Sequence, residues 1–195
     1  MLFRSFTKKT EQTQLALGVR SCSRRDERRF ALRLLNTILG ENMSSRLFQV
    51  VREDRGLAYN IYSSLSFFDD TGDLVISAGL DAANLSKTLK LILRELRHLA
   101  ATPPAATELR RARDYVIGQM DLSLENTESQ MMWLGEQLLG YGRIIPAPEI
   151  KRRLTRVTAA EICAAAHAFL RPDRLNLALV SSLRSDAGFA NLLRI

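Results

Sequence analysis

Histidine and cysteine, the residues that most often hold metals, are scarce in this chain. Two histidines, His98 and His167, and two cysteines, Cys22 and Cys163, occur among 195 residues. Neither histidine has a second ligand at a spacing typical of a zinc site, and we expect His98 at the surface or its boundary and a metal role for neither. The cysteines are too few and too distant for a zinc knuckle, a redox pair or a disulfide framework. The sequence therefore predicts that this chain binds no metal, and it gives no redox compartment.

Long apolar runs are also lacking. None approaches the roughly 20 residues that a membrane-spanning helix needs. The first ten residues lack the charged, then apolar, then small pattern of a secretion signal. With 46% hydrophobic and 25% charged residues, the composition is that of an ordinary soluble protein. We expect a soluble chain without membrane contact, in the cytoplasm or periplasm if its source is bacterial.

Acidic residues are outnumbered by basic ones, and lysine is rare among the latter. The chain has 28 lysines and arginines against 21 acidic residues, which gives a formal charge of +7, and only five of the basic residues are lysines. A basic excess of this kind suits a polyanionic partner. However, the arginines are scattered through predicted helices, and no basic stripe carries interleaved aromatic residues. We expect no nucleic-acid binding, because a polyanion hypothesis rests on charge alone.

Hydrophobic periodicity divides the first third of the chain into a strand and two helices. Residues 13–19 alternate between apolar and polar side chains, which predicts a half-buried strand. Apolar residues recur at helical spacing over residues 31–39, and Gly40 is predicted to end this helix in the left-handed conformation. A second helix is predicted to begin after Ser44 and to stop near Gly56.

The rest of the chain predicts a hairpin, several helices and a final strand. Alternation over residues 57–67 and 73–80 flanks the turn sequence Asp-Asp-Thr-Gly and predicts an antiparallel hairpin. Helices are predicted at 85–99, from near Ala105, after Asn126 and Thr127, and from the capping box Thr158 to Glu161 to a point before Pro172. A last strand is predicted at 175–180. These elements predict a two-layer α+β fold, an antiparallel sheet with helices packed on one face, as a single domain over residues 1–195.

The most informative stretch is residues 40–59, GENMSSRLFQVVREDRGLAY, called here the signature segment. It resembles a signature of the pitrilysin/insulinase family of zinc metallopeptidases, in the branch of the mitochondrial processing peptidases. Weaker support comes from residues 108–112, 134–135 and 157–162. The resemblance runs from about residue 12 to residue 180. It implies the fold predicted above, built from homologous α+β modules that face each other across a chamber.

The resemblance also makes an absence informative. Members of the family hydrolyse peptides with an inverted zinc motif, H-x-x-E-H, in which two histidines hold the metal and the glutamate activates water. This chain has no such motif. It therefore resembles the carboxy-terminal module that lacks zinc, and we expect it to be inactive alone. The resemblance implies a zinc-bearing homologous domain or subunit as partner, with the zinc in that partner and none bound by this chain.

The resemblance further implies a substrate-binding pair and no catalytic residue in this chain. An arginine and a tyrosine at the family spacing correspond to Arg52 and Tyr59, and both side chains can donate hydrogen bonds to peptide carbonyls. Arg55 is a rival for the role of the arginine. From local pattern alone, Arg52 is a cation in the last turn of a helix. Tyr59 alternates with Leu57 and Ile61, which favours a core aromatic residue with a solvated hydroxyl.

Two further hypotheses concern partners. A proteolytically inactive structural subunit, like the core subunits of respiratory complexes that share this fold, is the alternative to peptide binding. The chain is also predicted to form a homodimer through the face that would otherwise meet its partner domain. Phe67, Phe68, Met131, Met132 and Trp133 are candidates for an exposed apolar patch, although buried packing is the default expectation.

Overall fold

The computed structural model describes residues 2–183 and residue 189. The strands are β1 (Leu2–Thr7), β2 (Thr13–Ser21), β3 (Asn60–Phe67), β4 (Gly72–Leu80) and β5 (Leu175–Ser181). The α-helices are α1 (Arg29–Asn36), α2 (Leu85–Ala101), α3 (Ala106–Glu125), α4 (Thr127–Tyr141), α5 (Ala147–Arg156) and α6 (Ala159–Phe169). Two π-helical segments lie at Thr37–Glu41 and Phe48–Glu53, and short 3-10 turns lie at Ala82–Asn84 and Pro172–Arg174.

The strands form one mixed sheet in the order β1-β5-β2-β4-β3. The pairs β2–β4, β2–β5 and β3–β4 are antiparallel, as predicted, whereas β1 runs parallel to β5. The prediction of a purely antiparallel sheet is therefore wrong at this edge. The sequence pattern does not reveal β1, because Arg4 and Ser5 interrupt its apolar character and its partner strand lies at the other end of the described chain.

The helices cover one face of this sheet and form the second layer. Residues of β2, β4 and β5 alternate in burial, and their inward positions, such as Leu17, Ile76 and Leu177, are at most 2% exposed. Apolar residues of α1, α2 and α6 belong to the same core cluster. This arrangement confirms the predicted two-layer α+β architecture, since helices and sheet bury their apolar sides against each other.

Gly40 does not end the first helix in the manner predicted. Its φ angle is not positive, and the helix continues through it as the π-helical segment Thr37–Glu41. What requires glycine here is the close approach of β3: a Cβ atom on Gly40 would lie 2.7 Å from the Oγ atom of Ser63 and 2.8 Å from its backbone nitrogen. Sequence pattern cannot distinguish a glycine that ends a helix from one that admits a neighbouring strand.

The predicted stop at Gly56, break at Asn126 and capping box at Thr158 are confirmed, whereas Ser44 does not cap the second helix, whose start has no side-chain cap hydrogen bond. Gly56 adopts the left-handed conformation with φ of 58°, and the amide of Leu57 bonds the carbonyl of Val51 at 3.0 Å, which closes the last turn. The Asn126 side chain accepts a hydrogen bond from the amide of Ser129 at the start of α4. Thr158 and Glu161 form the expected capping box of α6.

Helix α5 is absent from the sequence prediction. Leu154 is its one buried residue, so its amphipathic signal is short and mostly charged. Contacts with other elements hold it in place, because Arg153 bridges Glu149 of its own helix and Glu27 before α1.

Helix α4 leaves much of its apolar surface uncovered. Met131, Met132 and Phe68 are 61%, 55% and 47% exposed, so the expectation of buried packing is wrong for these three residues. Phe67 and Trp133 are half-buried. The α4 apolar surface consists of Met131, Met132, Leu134, Leu138 and Leu139. Across the described residues, no helix is both long and apolar enough to cross a bilayer.

Candidate functional site

The first half of the signature segment is firmly anchored. Leu47 and Val51 are fully buried. The Nε and Nη2 atoms of Arg46 donate to the two carboxylate oxygens of Glu108 on α3, each at 2.7 Å, while Nη1 donates to the Nδ1 atom of His98 at 3.1 Å. The hydrogen bond with Arg46 is the main cause that lowers the pKa of Glu108, and the same bond raises the pKa of Arg46.

The second half of the segment presents Arg52 to solvent. Its side chain is 45% exposed in the last turn of the π-helical segment Phe48–Glu53. The guanidinium carbon lies 4.9 Å from the ring centroid of Phe48, and Nε lies 3.9 Å from a carboxylate oxygen of Glu53. An exposed pair at that distance holds a guanidinium weakly. The position agrees with the helix-end interpretation, and the exposure leaves N–H donors of Arg52 accessible.

Tyr59 is also exposed, at 54%. The interpretation of Tyr59 as a core aromatic residue is therefore wrong, because it lies just before β3 and strand alternation applies only from Asn60 onward. Its hydroxyl donates to the Oδ1 atom of Asp81 at 2.9 Å, and its amide donates to the carbonyl of Gly79 at 2.9 Å. The hydrogen bond to Asp81, followed by the charge of that carboxylate, raises the pKa of the Tyr59 phenol.

Backbone contacts fix the connection between Arg52 and Tyr59. The bond from the Leu57 amide to Val51 folds the connection back on the helical turn, and the bond from the Tyr59 amide ties it to β4. The structure thus places both predicted residues on the exposed, backbone-ordered half of the signature segment.

Arg55, the rival arginine, lines a different feature. Its Nη1 atom donates to the carbonyl of Val50 at 3.0 Å. It also borders a cleft of about 560 Å³ between the signature segment and α2, called here the basic cleft. The basic cleft is lined by Arg55, Leu57, Lys87, Lys90, Leu91 and Arg94. Four of these six residues are cationic and none is acidic, although Arg94 also contacts Glu95 at 3.0 Å.

The residues do not fit a zinc site. His98 and His167 are both exposed and lie on different helices, α2 and α6; exposure was predicted for His98. Within residues 2–183, no group of three or more histidine, cysteine, aspartate and glutamate side chains could hold a metal ion. No chemical step is therefore assigned to a metal held by the described residues.

The sheet face opposite the helices carries small side chains. One cross-strand row runs from Tyr62 through Ser77 and Ala16 to Ala178. Tyr62 is 50% exposed, Ala178 is exposed, and the other two are half-buried. We call this surface the open sheet face.

Sequence reasoning missed the partners that surround the pair. Asp81 begins the turn before α2, and Lys87 and Lys90 lie on that helix, more than 20 residues beyond Tyr59. Two signals exist in the sequence: an aspartate directly after a strand and two lysines in a lysine-poor chain. Neither signal shows that these residues lie near Arg52 and Tyr59, because that proximity depends on how α2 packs against the signature segment.

Fold and site together define a class: a two-layer α+β module that exposes an arginine and a tyrosine and, in its described part, has no metal-binding group. The family model of the peptidase M16 inactive domain matches residues 3–116. The chain therefore belongs to the peptidase M16 family, as a module of the inactive, carboxy-terminal type. The predicted membership in the pitrilysin family is confirmed.

Relatives in bacteria are longer than this chain. An uncharacterized zinc protease of Streptomyces coelicolor is 38% identical over 177 residues, which cover 91% of this chain and 38% of the relative. Uncharacterized zinc proteases of Mycobacterium leprae and Bacillus subtilis are 36% and 37% identical and are covered over 41% and 42% of their length. The chain thus spans about two fifths of these relatives.

Solved structures confirm the fold class. A conserved protein from Enterococcus faecalis superposes with a TM-score of 0.81 at 25% identity, over 95% of this chain and 43% of that one. A peptidase M16 inactive domain from Pseudomonas fluorescens gives 0.81 at 24% identity, over 94% and 44%. A chain of complex III2 from Candida albicans gives 0.83 at 13% identity, over 100% and 49%, a likeness of fold alone.

Proposed function

We propose that this chain is the non-catalytic, substrate-binding module of a zinc metalloendopeptidase of the peptidase M16 family. It orients a peptide opposite a zinc site that another domain or subunit supplies. The observation that carries the proposal is the exposure of Arg52 and Tyr59 on the ordered half of the signature segment. Side chains on a fixed backbone can position a substrate, because little further ordering is needed when it binds.

The two side chains offer complementary groups to a peptide backbone. Arg52 has N–H donors that a peptide carbonyl can accept. The Tyr59 proton is directed to Asp81, so its oxygen keeps lone pairs that can accept a peptide N–H. In this arrangement Arg52 binds a carbonyl and Tyr59 binds an amide. This assignment differs from the expectation that both side chains donate, because the Tyr59 hydroxyl already donates its proton to Asp81.

The basic cleft extends the site toward acidic peptides. Lys87 and Lys90 are exposed, and the cleft begins at Arg55 between Arg52 and Tyr59 in the sequence. Cations concentrated in one cleft raise the local concentration of anionic ligands. We therefore propose that peptides with aspartate or glutamate near the bound segment are preferred.

The partner in this proposal is a homologous zinc-bearing domain. The chain spans about two fifths of its relatives, which leaves ample length for such a domain in them. The α4 apolar surface and the open sheet face are two exposed surfaces of suitable chemistry for it. An exposed cluster of methionine and leucine side chains is characteristic of surfaces that meet another protein.

Binding of short unstructured peptides, measured by calorimetry, tests the proposed roles. Arg52→Ala should weaken binding about tenfold or more, because a hydrogen bond from a charged donor contributes about 1.5–3 kcal/mol. Tyr59→Phe should weaken it by a smaller factor. Arg143→Ala is the matched control, since Arg143 is an exposed arginine in the loop after α4. The same variants, introduced into the assembled protease, should lower peptide turnover.

Charge reversal tests the preference for acidic peptides. Lys87→Glu with Lys90→Glu should weaken binding of acidic peptides and leave neutral peptides unaffected. Lys8→Glu with Lys9→Glu makes the same charge change next to β1 and serves as control. Equal effects of the two double variants would mean that net charge, and not the basic cleft, governs binding.

The alternative, a proteolytically inactive structural subunit, predicts another outcome. A scaffold should show neither peptide affinity nor sensitivity to Arg52→Ala. Unchanged turnover of the assembled protease after Arg52→Ala and Tyr59→Phe would also contradict the proposed roles.

Self-association is proposed for the chain without its partner domain. We expect sedimentation to detect dimers that Met131→Lys with Leu138→Lys weakens, because both residues belong to the exposed α4 apolar surface. A strict monomer at high concentration would contradict this expectation.

A further inference from the structure

The Asp81 carboxylate lies beside the proposed peptide site and fixes the direction of one hydrogen bond in it. The Tyr59 hydroxyl donates to Asp81 Oδ1 at 2.9 Å, and both residues are exposed. A peptide that reaches Tyr59 therefore meets a phenol whose proton is already directed elsewhere. This contact decides which groups of a peptide the phenol can bind.

Backbone contacts hold Asp81 and Tyr59 in this arrangement. The amide of Tyr59 donates to the carbonyl of Gly79 at 2.9 Å, and the amide of Asn84 donates to the carbonyl of Asp81 at 2.9 Å. The Nδ2 atom of Asn84 also donates to the carbonyl of Leu57 at 3.4 Å, which ties the turn after β4 to the signature segment. The Asp81 side chain makes no capping hydrogen bond in this turn. Replacing that side chain therefore leaves all three of these bonds in place.

A phenol that donates to a carboxylate acts toward other groups as an acceptor. Its oxygen keeps lone pairs, and hydrogen bonds in a chain polarise one another, which strengthens the next bond in the chain. Turning the Tyr59 proton toward a peptide carbonyl would leave the Asp81 carboxylate facing phenol lone pairs. The hydrogen bond to Asp81 and then its charge also raise the pKa of Tyr59, for the same electrostatic reason.

We propose that Asp81 is a positioning residue that keeps Tyr59 as a hydrogen-bond acceptor, so that the site requires a backbone N–H from the peptide residue bound there. Proline has no backbone N–H, and peptides with proline at that position are therefore rejected. The inference rests on the proposed function, because it specifies how one residue of the same site reads the peptide. Without the Asp81 carboxylate the hydroxyl is free to donate to a carbonyl, and the requirement weakens.

Replacing one backbone amide at a time by an ester tests the requirement, because an ester loses the N–H and keeps the shape of the chain. The probe is a non-repetitive, proline-free acidic decapeptide selected in the calorimetric assay above. With the full chain, we expect one ester to weaken binding about threefold or more, and Tyr59→Phe to abolish this loss. Proline at the same position should weaken binding at least as much.

Asp81→Ala assigns the role of the carboxylate. It should at least halve the fold-loss that this ester causes. Asp70→Ala is the matched control, because it removes an exposed aspartate from the turn between β3 and β4, and it should leave the loss unchanged. Titration of the Tyr59 ring followed by NMR needs no peptide: Asp81→Ala should lower the pKa of Tyr59, and Asp70→Ala should not.

Failure of this inference differs from failure of the proposed function. If no peptide binds, or if Arg52→Ala leaves binding unchanged, the proposed function is wrong and this inference is wrong with it. If peptides bind and depend on Arg52, three results overturn the role of Asp81 alone. The first is an ester series that Tyr59→Phe leaves unchanged at every position; if Asp81→Ala changes it, the carboxylate itself binds the peptide. The second is an ester effect that Tyr59→Phe removes and Asp81→Ala leaves intact. The third is a Tyr59 pKa that Asp81→Ala does not lower.

Discussion

The signature segment and helix α4 expose side chains in opposite ways. The signature segment buries Leu47 and Val51 and turns an arginine and a tyrosine toward solvent, whereas α4 turns methionine and leucine residues outward. The segment is fixed by the two bonds between Arg46 and Glu108 and by the close contact of Gly40 with β3. Polar groups on a fixed backbone suit recognition of a substrate, and uncovered apolar groups suit a protein surface that a partner covers.

Leucine truncation in each region should give the largest contrast. Leu47→Ala removes a fully buried side chain and should lower the free energy of unfolding by about 2–5 kcal/mol. Leu139→Ala, at a position 90% exposed, should change it by less than about 0.5 kcal/mol. Denaturant unfolding of both variants measures the difference. Similar losses would mean that α4 is covered in solution by a second copy of the chain.

The Arg46–Glu108 pair should make stability depend on pH at the acid end. The pKa of Glu108 is lowered below its ordinary value of 4.5, so unfolding makes the carboxylate bind protons more readily. Its contribution is therefore complete above about pH 4.5 and is lost as pH falls through the folded-state pKa. Glu108→Gln should lower the free energy of unfolding by about 1.5–3 kcal/mol at pH 7. Below about pH 4.5 the variant should lose less stability with falling pH than the unaltered chain does.

The half-buried pair between Arg153 and Glu149 on α5 provides the control for that experiment. Glu149→Gln should cost only about 0.3–0.5 kcal/mol, because solvent screens a pair on one helix face. Thermal unfolding between neutral and acid pH compares the two variants. An acid profile that Glu108→Gln leaves unchanged would contradict the role of Glu108.

Two glycine-to-alanine substitutions should change the stability of the fold in opposite directions. Gly40→Ala places a Cβ atom against the backbone of Ser63 and should destabilise the fold by about 1–3 kcal/mol. Gly135 lies within α4 with no atom near its hypothetical Cβ, so Gly135→Ala should stabilise by about 0.5–1 kcal/mol. Melting temperatures of the two variants measure the effect. A stabilising Gly40→Ala would show that the helix can move away from β3.

Substitutions of Arg52 and Tyr59 should have the smallest effect on stability. Arg52→Ala and Tyr59→Phe should each change the free energy of unfolding by less than about 0.5 kcal/mol, because both side chains are exposed. Chemical denaturation checks this expectation beside the peptide-binding assay. A large loss of stability would assign these residues a structural role.

Local sequence predicted elements whose signals are local. The helices with strong apolar stripes, the hairpin of β3 and β4, the turn at Gly56 and the caps at Asn126 and Thr158 are all present. Strand β1 and helix α5 were not predicted. Strand β1 is stabilised by pairing with the distant β5, and α5 is stabilised by contacts with other elements such as that between Arg153 and Glu27. The site divides in the same way: Arg52 and Tyr59 follow from a motif, whereas Asp81 and the lysines of the basic cleft follow from packing.

The sequence by itself determined the family, the two-layer class and the absence of an inverted zinc motif, because these depend on residue identity and short spacings. Only the tertiary structure decided that Gly40 serves close packing, that Tyr59 is exposed and bonded to Asp81, and that Arg46 pairs with Glu108. Burial and hydrogen-bond partners join residues that lie far apart in the chain, and they arise only when the helices pack on the sheet.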